Sequence, residues 1–406
     1  MNVLVLNSGS SSLKFELFDM RARRPLAGGI VERIGEGSTS LTHYTIGASG
    51  RRRESTTSAP ANDHRHAISV VGETLHQSQA IAHARDLFGI GHRVVHGGED
   101  FQQPTLIDQD VLEAVRRQTP LAPLHNPANL MGMEATLAEY PEVPQVAVFD
   151  TAFHQTLPAY AYRYAVPEEL YNEYRIRRYG FHGTSHQYVS KRAAEFLDRP
   201  LESLNLIVLH LGNGASAAAI RGGRSVDTSM GLTPLEGLMM GTRCGDIDPA
   251  VIFHLADVAE MSLPQIDALL NRESGLRGVC GANDMREVLR RVEAGDEKAE
   301  LALEMYCYRI RKYIGAYMAA LERVDAIVFT AGIGENSAEI REHACRGLEN
   351  LGVILDSQKN AAAERTAREI QADDSPTKLL VIPTDEELEI AEQTIACIQL
   401  SKSKEA

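Results

Sequence analysis

Two residues in the stretch GHRVVHGGE, Arg93 and Val95, have the types and the spacing to bind a small anion. On an extended segment, residues two positions apart share one face. The planar guanidinium can hold a carboxylate or a phosphate through two parallel hydrogen bonds, and the valine methyls leave room for a substituent of only one or two carbons. The pair therefore suits a short carboxylic acid, although an arginine on an edge strand beside a core valine has the same spacing.

The sequence NSGSSSLKFELF at 7–18 gathers amide, hydroxyl and ammonium groups around one tight turn. Asn7, Ser10, Ser12 and Lys14 suit phosphate oxygens, but they also suit the polar tip of an ordinary hairpin. The chain contains no GxxxxGK[ST] loop and no HRD or DFG sequence. Any phosphoryl transfer must therefore use a scaffold other than the P-loop or the protein-kinase fold.

The sequence YGFHGTSH places His182 just before a predicted helix. Thr184 or Ser185 is expected to cap that helix, so that His182 lies in the preceding loop. His182 and His186 have the spacing of a metal-binding pair, but the expected cap falls between them and no HExxH glutamate is present. Hydrogen bonding to a charged transition state is the better interpretation of His182.

Two further motifs contain glycines, which allow a ligand to approach the backbone closely. Arg243 lies between glycines in GTRCGDIDP, where a loop can approach a ligand closely. In GIGENSAEI, Asn336 is expected to cap a helix with Glu339 at its third position. Gly332 and Gly334 leave an open helix N-terminus there, which suits a nucleotide.

A capping box is predicted in PTDEELEIA, formed by Thr384 and Glu387. Glu386 would then interact favourably with the helix dipole. The residues alone therefore explain Glu386 without a chemical role.

Short apolar runs that end in polar glycine turns must position these groups. They lie at 3–12, 93–98, 145–154, 206–216 and 326–337, and apolar residues recur at helical spacing at 300–323, 337–351 and 386–398. This mixture predicts an α/β fold. LVLNSGSSSLKFELFD resembles LIVLHLGNGASAAAIRGG, and AVFDTAFH resembles IVFTAGIGEN, which is the pattern of two related halves with hairpin loops that face one phosphate chain. Glycine-rich hairpins often look alike by chance, so the residues alone leave the duplication open.

Composition narrows the classes of function. The 406 residues, 44% of them apolar, are enough for two domains with separate cores. The formal net charge of −14 argues against partners such as nucleic acid or an anionic membrane. Five cysteines without a CxxC pair argue against a disulfide framework and a zinc site. No apolar run is long enough to span a membrane, so a soluble, cytoplasmic protein is expected.

Eight ordered motifs resemble those of the acetate kinase family over nearly the whole chain. They are NSGSSSLKFELF, GHRVVHGGE, VFDTAFH, YGFHGTSH, HLGNGAS, GTRCGDIDP, FTAGIGENS and PTDEELEIA. The family belongs to the superfamily of actin, hexokinase and Hsp70, so the resemblance implies two duplicated ribonuclease-H-like lobes around a central cleft. The implied lobes are 1–152 with 387–406, on the phosphate and acid side, and 153–386, on the nucleotide side.

The resemblance also assigns chemistry to matched residues. Asp150, His182 and Arg243 would be catalytic, with Arg243 steadying the transferring phosphoryl group. Asn7 and Glu386 would hold Mg²⁺, with Mn²⁺ as an alternative ion.

The remaining matched residues would bind the substrates. Acetate would meet Arg93, with Val95, Leu124, Phe181 and Pro234 around its methyl group. ATP or ADP would meet Ser10, Ser12, Lys14, His210, Leu211, Gly212, Asn213, Gly214, Asp284, Met285, Arg286, Gly332, Ile333, Gly334, Glu335 and Asn336. Two positions depart from the family pattern: Cys244 stands where serine is usual, and Met285, on the expected adenosine wall, stands where phenylalanine is common.

The implied reaction is the reversible, Mg²⁺-dependent transfer of the γ-phosphoryl group of ATP to acetate, which gives acetyl phosphate and ADP by in-line displacement. A carboxylate is already a nucleophile at pH 7, so the protein needs mainly to position groups and neutralise charge. The alternatives are propionate or butyrate as acceptor, a pyrophosphate-dependent variant, and an actin-like nucleotide-dependent clamp without an acid substrate. Val95 favours acetate, and a clamp has no need of Arg93 together with Arg243. The family is usually homodimeric.

Overall fold

The computed structural model describes residues 1–36, 38–47, 50–58, 61–123 and 125–405. Leu124, which the resemblance assigns to the acid pocket, lies outside the described residues. The chain forms two compact units, Met1–Phe153 with Asp385–Ala406 and His154–Thr384. The second boundary falls two residues before the predicted one, which puts Glu386 in the first unit.

Within the described residues, the chain forms fourteen strands and fifteen α-helices. The strands are β1 Asn2–Ser8, β2 Ser12–Asp19, β3 Arg24–Glu32, β4 Ser40–Ile46, β5 Arg52–Ser58, β6 Leu87–Val94, β7 Thr105–Leu106, β8 Gln145–Phe149, β9 Asn205–Leu211, β10 Ala215–Arg221, β11 Arg224–Thr228, β12 Ala326–Thr330, β13 Arg368–Glu369 and β14 Lys378–Val381. The helices are α1 His64–Gln77, α2 Gln109–Arg117, α3 Asn126–Glu139, α4 Ala159–Tyr162, α5 Glu168–Tyr174, α6 Gly183–Phe196, α7 Ala250–Val258, α8 Leu263–Arg272, α9 Gly275–Cys280, α10 Met285–Glu293, α11 Glu297–Leu321, α12 Ala331–Asn336, α13 Ala338–Cys345, α14 Ser357–Ala361 and α15 Glu386–Glu405. None of these helices is both long and apolar enough to cross a membrane.

Each unit is built around one mixed sheet. The strand order is β5-β4-β3-β2-β1-β6-β8-β7 in the first unit and β11-β10-β9-β12-β14-β13 in the second. The antiparallel meander has five strands, β1 to β5, in the first sheet and three strands, β9 to β11, in the second. In each sheet two further strands, β6 and β8 or β12 and β14, run parallel to the first strand of the meander. The orders β3-β2-β1-β6-β8 and β11-β10-β9-β12-β14 are therefore equivalent. This equivalence confirms the predicted α/β fold of two duplicated halves.

One match predicted within the repeat is wrong. The sequence pairs AVFDTAFH with IVFTAGIGEN, but their strands, β8 and β12, hold different places in the two sheets. β12 lies beside β9 as β6 lies beside β1, and the counterpart of β8 is β14. A short buried strand followed by a polar turn occurs at both places, so the pattern alone does not distinguish them. GHRVVHGG is thus the counterpart of IVFTAGIG.

Burial along the strands follows their place in the sheet. β8 and β12 are buried over their whole length and have continuous apolar sequences, QVAVF and AIVFT. β5, at the sheet edge, is exposed throughout.

Helix α15 packs against β6, the strand that carries Arg93. A Cβ atom at Gly91 would lie 2.4 Å from Thr394 Oγ1 of that helix. Only glycine permits this close approach of helix to strand. The end of the chain therefore helps to fix Arg93.

Candidate functional site

Arg93 and Asp150 lie at the carboxyl ends of two neighbouring parallel strands in the first unit. Arg93 is near the end of β6, and Asp150 follows β8, where its backbone N donates to Val94 O at 2.9 Å. The guanidinium donates to the carboxylate from Nε, at 3.2 and 3.1 Å, and from Nη2, at 2.8 Å. The Asp150 side chain is only 3% exposed. This charge-assisted contact fixes the direction of the guanidinium.

Two carboxylates, those of Asp150 and Glu386, lie near the Arg93 guanidinium and keep it charged. Together the three side chains carry a net negative charge. Burial lowers the pKa of the guanidinium, but Asp150 and Glu386 outweigh burial and hold the pKa above its ordinary value. Glu386 Oε2 lies 3.5 Å from Arg93 Nη2. This buried oxygen has no hydrogen-bond partner among the residues that the structure describes. The group of two carboxylates and one guanidinium is therefore able to accept a cation.

Asp385, and not Thr384, caps helix α15, so the predicted capping box is wrong. Leu388 N donates to Asp385 Oδ1 at 2.9 Å. Thr384 N instead donates to Glu335 Oε1 at 3.0 Å, within the second unit. The helix begins one residue later than predicted because aspartate is a strong cap and is available there. Glu386 is the first helical residue, and its carboxylate lies near Arg93.

The hairpin of β1 and β2 brings the predicted phosphate-side residues together. Asn7 and Lys14 are directly opposite in register, so their side chains share a face. Lys14 forms an ion pair with Glu387. Burial lowers the pKa of the Lys14 ammonium, but Glu387 more than offsets it, and the pKa lies above its ordinary value. Ser10 is exposed in the turn, and Ser12 begins β2.

The segment that follows β6 is held by two asparagines that the sequence interpretation missed. Val95 N donates to Asn129 Oδ1 at 3.1 Å, and His96 N donates to Asn126 Oδ1 at 3.3 Å. Asn126 and Asn129 are 0% and 3% exposed. Their spacing of three in HNPANL, which places both on one face of α3, is the signal that predicts a shared partner.

In the second unit, His182 precedes helix α6 in a left-handed backbone conformation, with φ 56°. The predicted cap, Thr184 or Ser185, is wrong, because both residues lie inside the first turn of the helix. Ser185 contacts two polar side chains of the second unit. Its Oγ lies 2.8 Å from His210 Nδ1 and 2.8 Å from Thr384 Oγ1. The rings of His182 and His210 are stacked, with centroids 4.3 Å apart. A left-handed residue other than glycine is strained, so the stacked rings and the helix hold His182 in an uncommon position.

Two further histidines are buried beside this loop. His154 Nε2 lies 3.1 Å from Phe181 O, and its Nδ1 lies 2.8 Å from Ser225 Oγ. Burial lowers the pKa of His154 to about 4. Burial also lowers the pKa of His186 well below its ordinary value, and its Nε2 lies 3.0 Å from Ser216 Oγ. Both histidines are therefore neutral at pH 7, and His154 supports the loop through the Phe181 carbonyl.

Arg243 is a half-buried guanidinium that forms no ion pair with any carboxylate in the described part of the chain. Its Nη1 donates to Pro234 O at 3.3 Å, and burial lowers its pKa. A Cβ atom at Gly214 would lie 3.4 Å from His182 Nε2 and 3.7 Å from Arg243 Nη1. The two predicted catalytic side chains therefore project beside one glycine turn, where an anion would offset the charge.

A cavity of about 670 Å³ adjoins the same turn in the second unit. Eight predicted nucleotide residues line it: Gly212, Asn213, Asp284, Met285, Arg286, Gly332, Ile333 and Asn336. Asn283, Leu289 and Ser337 also line it and were not predicted. The volume lies within the range of small-molecule sites, about 300 to 1,000 Å³. Glycine backbone, amide groups and apolar side chains together suit a base and a sugar.

Five nucleotide residues predicted in the second unit are not among those that line the cavity: His210, Leu211, Gly214, Gly334 and Glu335. The Glu335 carboxylate accepts from Thr384 N and is therefore engaged within the protein. A Cβ atom at Gly334 would lie 3.4 Å from the carbonyl carbon of Phe329, so this glycine faces the sheet. Gly334 and Glu335 therefore contact other parts of the second unit.

Local hydrogen bonds shape the edge of the cavity. Ser337, and not Asn336 as predicted, caps α13, with Ile340 N donating to its Oγ at 3.3 Å. Asn336 Nδ2 donates to Gly332 O at 2.8 Å and so stiffens α12. Asp284 caps α10. Hydrogen bonds from the Arg286 side chain and backbone lower the pKa of Asp284 to about 2.

Comparisons of the sequence and of the structure with known proteins identify the same family. Residues 2–392 match the acetokinase family. The chain is 57% identical over 396 residues to the acetate kinase of Streptomyces avermitilis, covering 98% of this chain and 97% of that protein. Its structure is similar to a crystal structure of Porphyromonas gingivalis acetate kinase, with a TM-score of 0.92 and 42% identity over 98% and 99% of the two chains. It is also similar to a propionate kinase from Francisella tularensis, with a TM-score of 0.90 and 43% identity over 97% and 99%.

Proposed function

The chain belongs to the acetokinase family, and we propose that it catalyses the reversible transfer of the γ-phosphoryl group of ATP to acetate, which gives acetyl phosphate and ADP. The observation that carries this proposal is the Arg243 guanidinium, which forms no ion pair within the described ranges and lies beside His182 and the cavity. A half-buried positive charge favours an anion. The oxygens of a transferring phosphoryl group supply one, and their charge spreads in the transition state.

The cavity of the second unit takes the adenosine of ATP or ADP. Asn213 and Asn283 offer amide groups to the base and sugar, and Met285 and Ile333 offer apolar contact. Asn213 belongs to the same turn as Gly214, beside which Arg243 projects. This arrangement supports a nucleotide whose phosphates extend toward Arg243.

The acid binds in the first unit at Arg93 and Val95. A carboxylate is already a nucleophile at pH 7, so Asp150 has no proton to remove from it. The contacts of Asp150 with Nε and Nη2 support a different role, because they orient the guanidinium and keep it charged. Arg93 then presents its remaining N–H donors to the acid.

The residues of the first unit fit a divalent cation. Glu386 offers a buried oxygen with no hydrogen-bond partner among the described residues, and Asn7 offers an amide oxygen. Oxygen ligands of these kinds are the ones that Mg²⁺ prefers, and Mn²⁺ accepts them too. When bound, Mg²⁺ would neutralise charge on the phosphoryl oxygens.

Acetate is the preferred acid because the Val95 methyls limit the length of the substituent beside Arg93. The similar structures include both an acetate kinase and a propionate kinase. The choice of acid therefore rests on a few side chains and not on the fold. Propionate or butyrate remains the alternative acceptor.

A homodimer and a cytoplasmic location complete the proposal. Helix α7 supports the first, because none of its residues is buried and Phe253 and Val258 are 67% and 68% exposed. A second copy of the chain would cover such an apolar helix. The cysteines of the chain are all free thiols, which supports a reducing compartment.

An assay of acyl phosphate formation tests the proposed reaction. Hydroxylamine converts acyl phosphates to hydroxamates, which are measured with acetate, propionate and butyrate in parallel, each with ATP and Mg²⁺. We expect the highest kcat/KM with acetate. Binding of ATP without hydroxamate from any of the three acids would overturn the proposal and favour a nucleotide-dependent clamp. A higher kcat/KM with propionate would keep the chemistry and change the substrate.

A further inference from the structure

Four consecutive backbone amides after β6 donate to side chains and not to a neighbouring strand. Val95 N donates to Asn129 Oδ1 at 3.1 Å, His96 N to Asn126 Oδ1 at 3.3 Å, Gly97 N to Thr151 Oγ1 at 3.1 Å, and Gly98 N to His96 Nδ1 at 3.0 Å. Most loops of this kind run over the surface, and water satisfies their amides. Here the loop that carries Val95 is fixed by side chains.

Asn129 uses both ends of its amide group to join two segments of the site. Its Oδ1 accepts from Val95 N, and its Nδ2 donates to Ser8 O at 2.9 Å. Ser8 ends β1 and follows Asn7, the proposed metal ligand. Asn129 is only 3% exposed, and both ends of its amide group are bonded. It therefore sets the separation of Val95 from the end of β1.

The close packing of α3 fixes Asn129 itself. A Cβ atom at Gly132, one turn further along the helix, would lie 2.1 Å from Ser8 Oγ. On the preceding turn, Asn126 accepts from His96 N and donates to His96 O at 3.0 Å. The helix is thus held against the end of β1 and the loop after β6 at the same time.

Thr151 holds the other side of the loop. It follows Asp150, whose carboxylate orients Arg93, and its Oγ1 accepts from Gly97 N. The Thr151 side chain is fully buried. The loop is therefore connected both to α3 and to the segment that places Asp150.

We propose that Asn129 and Thr151 are positioning residues that set the distance between the Val95 methyls and Arg93, and so limit the length of the acid. The inference rests on the proposed function, which gives Val95 its role. Each of the two residues acts through a backbone amide of the loop. A pocket that accepts or excludes one methylene discriminates by about 10- to 200-fold, and this discrimination depends on where its wall is held.

Two variants remove different bonds to the same loop. Asn129→Ala removes the acceptor for Val95 N, and Thr151→Val removes the acceptor for Gly97 N with little change in shape. Thr151→Ser keeps a hydroxyl and is the conservative partner. Thr136→Val is the matched control, because Thr136 is equally buried on α3 but its hydroxyl, among the described residues, donates to Gly132 O of its own helix. Val95→Ala is the reference variant for the pocket wall.

The measurement is kcat/KM for propionate and for acetate, with KM for ATP and the melting temperature recorded for each variant. We expect the propionate-to-acetate ratio to rise about 5-fold or more in Asn129→Ala and in Thr151→Val, although Val95 is intact. Thr151→Ser and Thr136→Val should keep the ratio within about 2-fold, and KM for ATP should change by less than about 2-fold in all four.

A purely structural role predicts something different, namely a lower melting temperature with an unchanged ratio, and that result overturns the proposal. If one variant fails to fold, the other decides, because each breaks a separate bond. A ratio that rises in Val95→Ala alone rejects positioning by Asn129 and Thr151 and keeps the acid pocket. If Val95→Ala also leaves the ratio unchanged, the pocket is wrongly assigned. A wild-type protein that forms no acyl phosphate rejects the proposed function itself.

Discussion

The Asp150 carboxylate holds the Arg93 guanidinium through both Nε and Nη2, at 3.1 and 2.8 Å from Oδ2. Arg93 therefore has a structural role in addition to its proposed role in binding the acid. Asp150 is 3% exposed at its side chain, and removal of the cation beside a buried carboxylate is strongly unfavourable. The sequence alone gave no reason to expect that the two proposed arginines differ in this respect.

We expect Arg93→Ala to lower the free energy of unfolding by about 3 kcal/mol, because it removes the Arg93 cation from beside the buried Asp150 carboxylate. Turnover should also fall, by roughly 100-fold or more. Urea unfolding followed by circular dichroism measures the first effect. The double variant Arg93→Ala with Asp150→Asn is the control and should regain part of the stability, since it removes the buried charge. An unchanged unfolding free energy in Arg93→Ala would contradict this account.

Arg243→Ala should behave differently. Its guanidinium forms no ion pair within the described residues and donates to one backbone oxygen, Pro234 O, so we expect a loss of stability below about 1 kcal/mol. Its proposed contact with transition-state charge predicts a fall in kcat of roughly 100- to 1,000-fold. Steady-state kinetics would compare it with Arg277→Ala, an exposed arginine of α9. A variant that keeps more than about a tenth of the wild-type kcat would show that Arg243 has another role.

Variants of Asp385 and Glu386 distinguish the role of a helix cap from the proposed role of a metal ligand. Asp385→Ala should cost about 1 kcal/mol of stability, because it removes the acceptor for Leu388 N, and should leave the Mg²⁺ requirement alone. Glu386→Ala should weaken the apparent Mg²⁺ affinity by about 10-fold or more while changing stability little. A Mg²⁺ titration of activity and a thermal melt distinguish the two. If both variants titrate like the wild type, Glu386 is not a metal ligand.

Sequence patterns predicted the position of residues that lie in a strand or directly after one. The period of two in a strand predicted that Arg93 and Val95 share one face, but β6 ends at Val94, so Val95 lies in the loop after the strand and this prediction stays open. Strand ends put the turns after β9 and β12 side by side. Those two turns supply five of the predicted cavity residues, namely Gly212, Asn213, Gly332, Ile333 and Asn336.

Three features that the sequence did not predict depend on contacts between distant segments. Thr384 and Asp385 can each cap a helix, and the choice depends on Glu335, about fifty residues away, which binds Thr384 N. The spacing of Asn126 and Asn129 predicts a shared partner, but the partners of Asn129, Val95 N and Ser8 O, are known only once β1 and β6 are placed beside α3. The correct match of β12 with β6 required the strand order. In each case the partner is far along the chain, so no local pattern encodes it.

Glu16 gives a pH dependence of stability. It lies on β2, and its carboxylate accepts from the Tyr44 hydroxyl. Burial raises its pKa to about 7, although the Tyr44 hydrogen bond opposes this. The folded pKa exceeds the unfolded value of about 4.3, so the folded state retains a proton that the unfolded state loses. The resulting stability is fully present below about pH 4.3 and is lost as pH rises to about 7.

Glu16→Gln should therefore stabilise the protein relative to the wild type at pH 8 more than at pH 5. The difference should be on the order of 1 kcal/mol, because part of the side chain is solvated. Urea unfolding at the two pH values measures it. Glu73→Gln, at an exposed position of α1, should show no such difference. Equal effects of Glu16→Gln at both pH values would mean that Glu16 is ionised throughout.

Met285 provides a test of the nucleotide cavity. It begins α10, lines the cavity and is only 4% exposed. A phenylalanine, common at this position in the family, would stack on a purine base, and aromatic contacts of this kind contribute about 0.5 to 1.5 kcal/mol. We therefore expect Met285→Phe to lower KM for ATP by about 3- to 10-fold and to leave KM for acetate unchanged.

Because every base has a π-face, the same substitution should lower KM for GTP by a similar factor, so that the ratio of kcat/KM for ATP over GTP stays within about 2-fold. Steady-state kinetics with both nucleotides at saturating acetate measure this. Met305→Phe is the control, because Met305 lies 43% exposed on α11 and outside the cavity lining. If Met285→Phe folds normally and KM for ATP does not fall, the base does not lie against Met285 and the adenosine must bind elsewhere.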